Sequence, residues 1–306
     1  NEKTPELFSK MIIKEAEDTD IRITLMEEKE LRSKGFGALL AVGQGSSNSS
    51  CLMIMHYKPK KSVKKMAVVG KAVTFDSGGI NLKPSDHITD MKQDMAGGAT
   101  TAATIIAVAK LKLNIEMIAA IPMAENMPSG KAIKPGDIIK SYSGKTIEIL
   151  NTDAEGRLIL ADTLAYITKT YSPDCILDLA TLTGACVVAL GEKIAGLYSN
   201  NEALSKNILN ASTQTSEKCW EMPLPDEYKE LMKSDFADIR NISTSRYGGS
   251  ITAALFLSEF VEKTPWCHLD IAGPAYLSKA EAYCPPGGRG FAVRLLCRLL
   301  ENYCEA

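Results

Sequence analysis

Short strand-like segments alternate with longer stretches of helical spacing along nearly the whole chain. Residues 21–25 alternate between apolar and polar positions, which is typical of a strand with one exposed face. Continuously apolar runs, such as residues 66–70, are typical instead of strands buried inside a parallel sheet. Further strand-like segments occur at residues 51–57, 115–121, 175–179 and 268–271.

Helical spacing of apolar positions separates these strands. Thr4 followed by Pro5 is typical of an N-cap before proline in the first helical turn, and the helical spacing continues to about residue 17. A run rich in glycine and alanine at residues 96–111 indicates a buried helix close to its neighbours. Other helical patterns occur at residues 156–171, 251–263 and 290–301. This alternation predicts an α/β fold, a three-layer α/β/α sandwich around a mostly parallel mixed sheet.

A single domain covering residues 1–306 is predicted. This length is enough to bury a large core, and we find no internal repeat, low-complexity tract or linker. Ser143 and Gly144 lie between two alternating runs, which predicts a hairpin between Gly136 and Leu150. The chain begins without methionine and without a secretory signal, so we expect it to come from a longer protein.

Composition and net charge limit the classes of partner and the cellular location that we expect. The formal net charge is -2, and the densest basic run, residues 58–65, lies between two strand-like segments as a solvated loop would. We therefore expect no nucleic-acid partner. No apolar run reaches the ~18 residues of a membrane span, so no membrane partner is expected. The eight cysteines show no Cys-x-x-Cys spacing, and their even number would fit disulfides. The chain is long and lacks a secretory signal, however, which favours reduced buried thiols in a cytoplasmic protein.

The densest group of chemically useful residues is NTDAEGR, residues 151–157. Asp153 and Glu155 lie two positions apart, where a strand end or tight loop points both side chains to the same side. Arg157 follows at the start of a predicted helix. Either acid alone is also typical of a helix cap. Paired carboxylates beside a fixed cation nevertheless suit a divalent-metal site better than a surface turn.

A second polar segment, residues 71–98, supplies partners for this motif. Lys71 follows an apolar strand at its carboxyl end, where open α/β sheets place their ligands. Asp76 precedes a glycine turn, and Asp94 stands at the entry to the long helix. Four carboxylates packed together would raise one another's pKa values, and two divalent cations would neutralise them. The three histidines lack ligand spacing, so we expect an oxygen-rich site that leaves manganese, magnesium and zinc open.

These segments together resemble a known family. NTDAEGR, VGKAVTFDSGGINLKP and MKQDMAGGA are similar to the motifs of the leucyl aminopeptidase (cytosol aminopeptidase) family of two-metal exopeptidases. The resemblance runs through most of the chain and implies the zinc-exopeptidase-like (phosphorylase/hydrolase-like) form of the sandwich. It implies an enzyme that removes leucine, or a similar apolar residue, from peptides with a free N-terminus.

The resemblance also implies a role for each polar residue. The nucleophile would be a water bridging two divalent ions, manganese or zinc with magnesium or cobalt as alternatives. Lys83 would stabilise the oxyanion, and bicarbonate bound by Arg157 would act as the general base. Asp76 and Glu155 would bridge both metals. The complete set of metal ligands would be Lys71, Asp76, Asp94, Asp153 and Glu155.

The same resemblance implies a substrate wall and an assembly. Relatives form homo-hexamers and carry an additional N-terminal α/β domain, which is absent from this chain. A DNA-binding or other non-catalytic relative is the alternative function, but the near-neutral charge argues against it. A phosphatase or nuclease is a second alternative, although such two-metal sites usually mix histidines with carboxylates. The substrate side chain would contact Met91, Asn151, Ala154, Thr181, Leu182, Gly184 and Ala272.

Overall fold

A nine-stranded mixed sheet forms the middle layer of the computed structural model, which describes residues 2–305. Asn1 and Ala306, the two ends of the predicted domain, lie outside the described residues. The strands are β1 (Arg22–Glu27), β2 (Cys51–Tyr57), β3 (Lys65–Gly70), β4 (Ala72–Asp76), β5 (Glu116–Asn126), β6 (Ile138–Lys140), β7 (Thr146–Glu148), β8 (Cys175–Ala180), β9 (Ala195–Ser199), β10 (Cys219–Glu221), β11 (Ile239–Arg240), β12 (Trp266–Asp270), β13 (Tyr276–Leu277) and β14 (Gly287–Gly288).

The order of strands across the large sheet is β1-β2-β5-β3-β8-β12-β9-β10, with β4 also paired to β5. The central strands β5, β3, β8 and β12 pair in parallel, whereas β1 with β2, β2 with β5, and β9 with β12 pair antiparallel. The predicted mostly parallel mixed sheet is therefore confirmed. Parallel central strands place several strand ends, and the loops that follow them, at one edge of the sheet.

Helices cover both faces of this sheet. One face packs against α1, α5, α8 and α10, and the other packs against α2, α3, α6 and α9. This arrangement confirms the predicted three-layer α/β/α sandwich. The helices are α1 (Pro5–Glu15), α2 (Glu28–Lys34), α3 (Gly37–Gly43), α4 (Ser85–Ile88), α5 (Ala96–Lys110), α6 (Gly156–Tyr171), α7 (Gly184–Leu190), α8 (Glu202–Thr215), α9 (Gly249–Ser258) and α10 (Val293–Glu305).

The alternation of side chains along β3 explains why residues 66–69 are apolar at every position. Met66 and Val68 belong to the core on one face, and Ala67 and Val69 belong to the core on the other face. Successive side chains of a strand point to opposite faces, so a strand covered by helices on both sides has no exposed position. All four side chains are fully buried.

Glycine at the start of α5 permits a close approach to the sheet. A Cβ atom on Gly97 would lie 2.2 Å from the carbonyl oxygen of Leu179 in β8. The next residue, Gly98, donates its backbone N–H to the Lys71 carbonyl oxygen at 2.7 Å. Lys71 is the residue that joins β3 to β4, so this hydrogen bond holds the start of α5 against the junction of the two strands. It also brings Asp94, just before α5, to the same edge.

Two local predictions, a hairpin and a helix cap, are confirmed. β6 and β7 form the predicted antiparallel hairpin, and Thr4 caps α1 by accepting a hydrogen bond from the Leu7 N–H. All eight cysteines are free thiols. Within residues 2–305, we find no helix with the length and apolar character needed to span a membrane.

The ends of two predicted helices differ from the structure. The pattern at residues 251–263 corresponds to α9, which begins at Gly249 and ends at Ser258, and the last helix begins at Val293. Buried apolar residues continue the pattern beyond α9, because Phe260 and Val261 pack into the core from a turn. Apolar spacing reports burial, so it does not by itself locate the last helical hydrogen bond.

A buried carboxylate connects three segments on one face, and its removal is expected to destabilise the fold. Asp162 accepts hydrogen bonds from the backbone N–H groups of Ala38, Leu39 and Tyr142 at 2.8, 2.9 and 2.7 Å. Asp162→Ala leaves three backbone donors without this partner, so we expect the free energy of unfolding to fall by about 3 kcal/mol in urea denaturation. Asp18→Ala, at an exposed acid, is the control and should change it by less than ~0.5 kcal/mol.

Candidate active site

The predicted polar residues meet at the carboxyl edge of the sheet, around a cleft of about 570 Å³. Lys71 follows β3, Asp76 ends β4, Thr181 follows β8 and Ala272 lies just beyond β12. Each of these residues lines the cleft. The parallel arrangement of the central strands therefore positions side chains from distant parts of the sequence in one place.

Four acids form a cluster at the base of this cleft. Oxygens of Asp76, Asp153 and Glu155 all lie within 4.8 Å of one another. Asp94 joins them through Lys71, whose Nζ lies 2.8 Å from Asp94 Oδ2 and 2.8 Å from Glu155 Oε1. Asp76, Asp94 and Glu155 are buried, whereas Asp153 is half-buried. The structure thus brings together all five predicted metal ligands.

Two lysines supply positive charge to this cluster. Besides its contacts with the acids, Lys71 donates a hydrogen bond to the Thr181 carbonyl oxygen at 2.9 Å. Lys83 Nζ lies 2.9 Å from Asp76 Oδ2 and 2.5 Å from Asp153 Oδ1. Burial by itself would lower the pKa of both lysines, but the neighbouring carboxylates outweigh it and raise both pKa values.

For the aspartates, in contrast, burial and mutual repulsion outweigh the attraction of the lysines, so the pKa values are raised. Burial is the largest influence on Asp76, Asp94 and Asp153, and it raises the pKa of each carboxyl group. Mutual repulsion acts in the same direction, chiefly from Glu155 on Asp76 and Asp94, and from Asp76 on Asp153. Burial penalises the charged form, and nearby negative charge adds to that penalty. Positive charge at the cluster is therefore needed to keep these three aspartates ionised.

The donor atoms fit divalent cations. Three carboxylate oxygens, Asp94 Oδ2, Asp153 Oδ1 and Glu155 Oε1, have lysine ammonium groups as their only polar partners among residues 2–305, at 2.8, 2.5 and 2.8 Å. Buried carboxylate oxygens need positive charge beside them, and divalent cations would supply more of it than two ammonium groups do. A set of carboxylate oxygens suits Mn²⁺ and Mg²⁺ and also accommodates Zn²⁺.

Glycine next to Glu155 leaves room for Lys71. A Cβ atom on Gly156 would lie 2.7 Å from Lys71 Nζ and 2.6 Å from its Cε. Any larger residue at this first position of α6 would displace the buried lysine side chain. The glycine of the NTDAEGR motif is therefore required by the position of the ammonium group between Asp94 and Glu155.

Asn126 holds the two halves of the cluster together, and the sequence did not single it out. Its side-chain amide donates to Asp76 Oδ1 at 2.8 Å and to the Thr152 carbonyl oxygen at 3.1 Å. Thr152 in turn donates through its hydroxyl to the Gly78 carbonyl oxygen at 2.6 Å. These bonds join the loop after β4 to the loop before α6. A polar residue at the carboxyl end of a long apolar strand was the available signal.

Arg157 lies behind the cluster. Its side chain is 7% exposed, and Nη1 donates to the Asn241 carbonyl oxygen at 2.8 Å. Its Nε, also buried, has no hydrogen-bond partner within residues 2–305. Burial lowers the pKa of Arg157 to about 10, against the opposing effect of Glu155 and Asp270, so the guanidinium stays charged at neutral pH. A buried cation with a free donor fits an anion.

Five of the seven predicted substrate contacts line the cleft, and two do not. Asn151 instead shapes the loop before α6, because its Oδ1 accepts a hydrogen bond from the Asp153 N–H at 2.8 Å. Ala154 is half-buried in the same loop. The residues that line the cleft are Met91, Thr181, Leu182, Gly184 and Ala272.

The cleft has further lining residues that the sequence patterns did not indicate. Val187 and Val188 lie on the short helix α7 and extend the apolar wall beside Gly184. Val188 is 89% exposed, so it offers apolar surface at the mouth of the cleft. The remaining additional lining residues are Pro84, His87, Gln93 and Thr183.

Comparison with known proteins identifies the family. The family described as "Cytosol aminopeptidase family, catalytic domain" matches residues 1–297. A "Probable cytosol aminopeptidase" of Cenarchaeum symbiosum is 48% identical over 306 residues, which are 99% of this chain and 63% of that protein. Another, of Chlorobium phaeobacteroides, is 51% identical over 298 residues, which are 95% of this chain and 59% of that protein.

A solved structure agrees with these relatives. It is described as "Bottromycin maturation enzyme BotP in complex with Mn", and it matches with a TM-score of 0.93 and 39% identity, covering 98% of this chain and 66% of that one. This chain spans about three fifths of the length of the curated relatives it matches. The matching segment corresponds to their catalytic part, and the chain belongs to the cytosol aminopeptidase family.

Proposed function

We propose that this chain is a metal-dependent aminopeptidase that removes leucine, or a similar apolar residue, from the N-terminus of peptides. The observation that carries this proposal is a largely buried cluster of four carboxylates and two lysines, located beside an apolar wall in one cleft. The printed names of the relatives, and the manganese named for the BotP structure, support the same activity.

Divalent ions would be held by Asp76, Asp94, Asp153 and Glu155, together with Lys71 as a neutral amine. When bound, such ions supply Lewis-acid activation of water and of the scissile carbonyl group. Lysine binds a metal only as the neutral amine, and the charge of a nearby dication opposes the carboxylates that raise its pKa here.

Lys83 is placed to act on the substrate. Its side chain is 15% exposed in a largely buried cleft, and its pKa is raised by Asp76 and Asp153 despite burial. It therefore stays an ammonium group at neutral pH. We assign it the task of hydrogen-bonding the scissile carbonyl oxygen and stabilising the negative charge that develops there.

Arg157 is proposed to hold the anion that moves the proton. Its free Nε and its position at the N-terminus of α6 both favour an anion, and bicarbonate is the anion that we infer. Bound bicarbonate would supply a general base, and the task of Arg157 would be to hold and orient it beside the acidic cluster.

The cleft explains the preference for a free N-terminus. The buried carboxylates, Asp94 among them, would bind the α-amino group of the substrate, whereas an acylated amine offers no positive charge to them. The apolar wall formed by Met91, Leu182 and Ala272 would accept the first side chain. A homo-hexameric assembly and a cytoplasmic location belong to the same proposal and stay predictions.

A substrate panel tests the proposed activity. Protein freed of metal with a chelator would be assayed with Mn, Zn, Co or Mg on leucine-p-nitroanilide, on its N-acetylated form, and on a phosphate ester. We expect cleavage of the unblocked amide alone, because only it carries both the amine and the scissile amide. Failure to cleave it with every metal would overturn the proposal. Cleavage of the phosphate ester instead would indicate a different class of two-metal hydrolase.

A further inference from the structure

A buried carboxylate outside the metal cluster holds two loops of the cleft wall together. Asp270, at the end of β12, is 1% exposed. Its Oδ1 accepts hydrogen bonds from the backbone N–H groups of Leu182 and Ala272, each at 3.2 Å, and a longer one from Thr183 at 3.5 Å. Its Oδ2 accepts a hydrogen bond from the Thr183 hydroxyl at 2.6 Å.

These partners belong to neighbouring strand ends. Asp270 pairs with Ala180 in the parallel register of β12 and β8, so the two loops leave the sheet side by side. Leu182 lies in the loop after β8, and Ala272 lies in the loop after β12. Both residues line the cleft, whereas Asp270 is not among the lining residues within 2–305. One carboxylate therefore fixes the spacing between two parts of the apolar wall.

The same carboxylate also orients a helix through Thr183. The Thr183 hydroxyl donates to Asp270 and accepts a hydrogen bond from the Cys186 N–H at 3.0 Å, as the N-cap of α7. That helix carries Gly184, Val187 and Val188 into the cleft. Donation to Asp270 fixes the hydroxyl in the rotamer that caps the helix. The direction of α7 thus depends on the Asp270 side chain.

The other end of the loop after β8, at Thr181, is hydrogen-bonded to the acidic cluster. The Thr181 hydroxyl donates to Asp94 Oδ1 at 2.8 Å, and the Thr181 carbonyl oxygen accepts from Lys71 Nζ at 2.9 Å. Residues 181–183 are therefore held between the proposed metal site and Asp270. A change at Asp270 would release the wall while leaving the contacts of Thr181 in place.

We propose that Asp270 is a positioning residue that sets the shape of the substrate side-chain wall, and so the preference for leucine over smaller N-terminal residues. This inference rests on the proposed aminopeptidase function. Asp270 acts through Thr183, Leu182 and Ala272 and need not contact the reacting atoms. Its effect should therefore appear in substrate discrimination before it appears in metal binding.

The test compares Asp270→Asn, Thr183→Val and the double variant, each saturated with Mn²⁺. Asparagine keeps one carbonyl oxygen for the backbone donors but cannot accept from the Thr183 hydroxyl as Oδ2 does. Valine keeps the shape of threonine and removes the hydroxyl. For each single variant we expect KM for leucine-p-nitroanilide to rise about tenfold, with kcat changing less than about threefold. The leucine-to-alanine ratio of kcat/KM should fall about tenfold.

The double variant shows whether the two residues act together. If Asp270 works through Thr183, the effects on the leucine-to-alanine ratio should be far from additive. Thr163→Val is the matched control, because its buried hydroxyl donates only to the Ile159 carbonyl oxygen of its own helix, and the ratio should not change. Manganese affinity, measured by calorimetry, should stay within about threefold of wild type in all variants.

The outcomes separate this inference from the proposed function. If wild type cleaves leucine-p-nitroanilide but Thr183→Val keeps the wild-type ratio, Asp270 does not set the wall and the inference is overturned. Equal losses of kcat on leucine and alanine substrates, with weakened Mn²⁺ binding, would also overturn it. If Asp270→Asn does not fold, Thr183→Val decides the question by itself. Wild-type protein that cleaves no amide with any metal overturns the proposed function, and this inference with it.

Discussion

Glu155→Gln is expected to abolish peptide cleavage and to weaken the binding of divalent ions by at least about 100-fold. Glu155 is 2% exposed, has an oxygen within 4.8 Å of oxygens of Asp76 and Asp153, and lies 2.8 Å from Lys71 Nζ through Oε1. Glutamine has the same shape but removes the negative charge and replaces one oxygen by an amide nitrogen that cannot bind a cation. Calorimetric titration with Mn²⁺ and kcat/KM on leucine-p-nitroanilide would measure both effects.

A matched acid separates this effect from a general loss of stability. Glu116 is also buried, but it lies at the amino end of β5, far from the carboxyl edge, and contacts His56 at 3.0 Å. Glu116→Gln should keep Mn²⁺ affinity and kcat/KM within about threefold of wild type. Wild-type Mn²⁺ affinity in Glu155→Gln would contradict the assignment of Glu155 as a shared ligand.

The layers of the fold can be predicted from the sequence because burial on both faces of the sheet makes most residues of a strand apolar. β3 is a short apolar run, β8 is apolar except for Asp178, and the covering helices α5 and α6 show long apolar spacing. β4 escaped prediction because it follows β3 after one residue and ends in Asp76. Its pairing with β5, which continues that of β3, appears only when the three strands are seen together.

The sequence also places the acids that form the cluster, because strand ends and helix starts are recognisable. The presence of four acids at one edge does not determine which oxygens converge or which cations they bind. The family resemblance supplied the individual roles, and the structure supplied the distances. Lys71 is the clearest case: its place after a strand was visible, whereas its contacts with Asp94 and Glu155 depend on the tertiary fold.

Residues that support the cluster from outside were the hardest to predict. Asn126 bonds to Asp76 across 50 residues of sequence, and Asp270 bonds to Leu182 across 88 residues. Each is a polar residue at the carboxyl end of a largely buried strand, a local signal that does not identify its hydrogen-bond partners. Their partners are brought to them by strand order in the sheet. Such contacts follow from topology, which local patterns do not determine.

Arg157→Ala is expected to lower kcat by about 100-fold while leaving metal binding within about threefold of wild type. The guanidinium lies behind the acidic cluster, donates to the Asn241 carbonyl oxygen and keeps a free Nε, so its removal takes away an anion site and no metal ligand. Bicarbonate added to bicarbonate-depleted buffer should raise the wild-type rate and have no effect on the variant.

Arg157→Lys distinguishes anion binding from the simple presence of charge. Lysine keeps the positive charge but lacks the planar fork that binds an anion through two parallel hydrogen bonds, so its kcat should fall between those of wild type and Arg157→Ala. Calorimetric titration of all three proteins with Mn²⁺ gives the metal affinity independently of turnover. Loss of Mn²⁺ binding in Arg157→Ala, or a bicarbonate response equal to that of wild type, would contradict the proposed role. Both variants also disturb the buried hydrogen bond to the Asn241 carbonyl oxygen, to different extents. If the free energy of unfolding and the activity fall in parallel in the two variants, Arg157 would instead be assigned a role in stabilising the chain around Asn241.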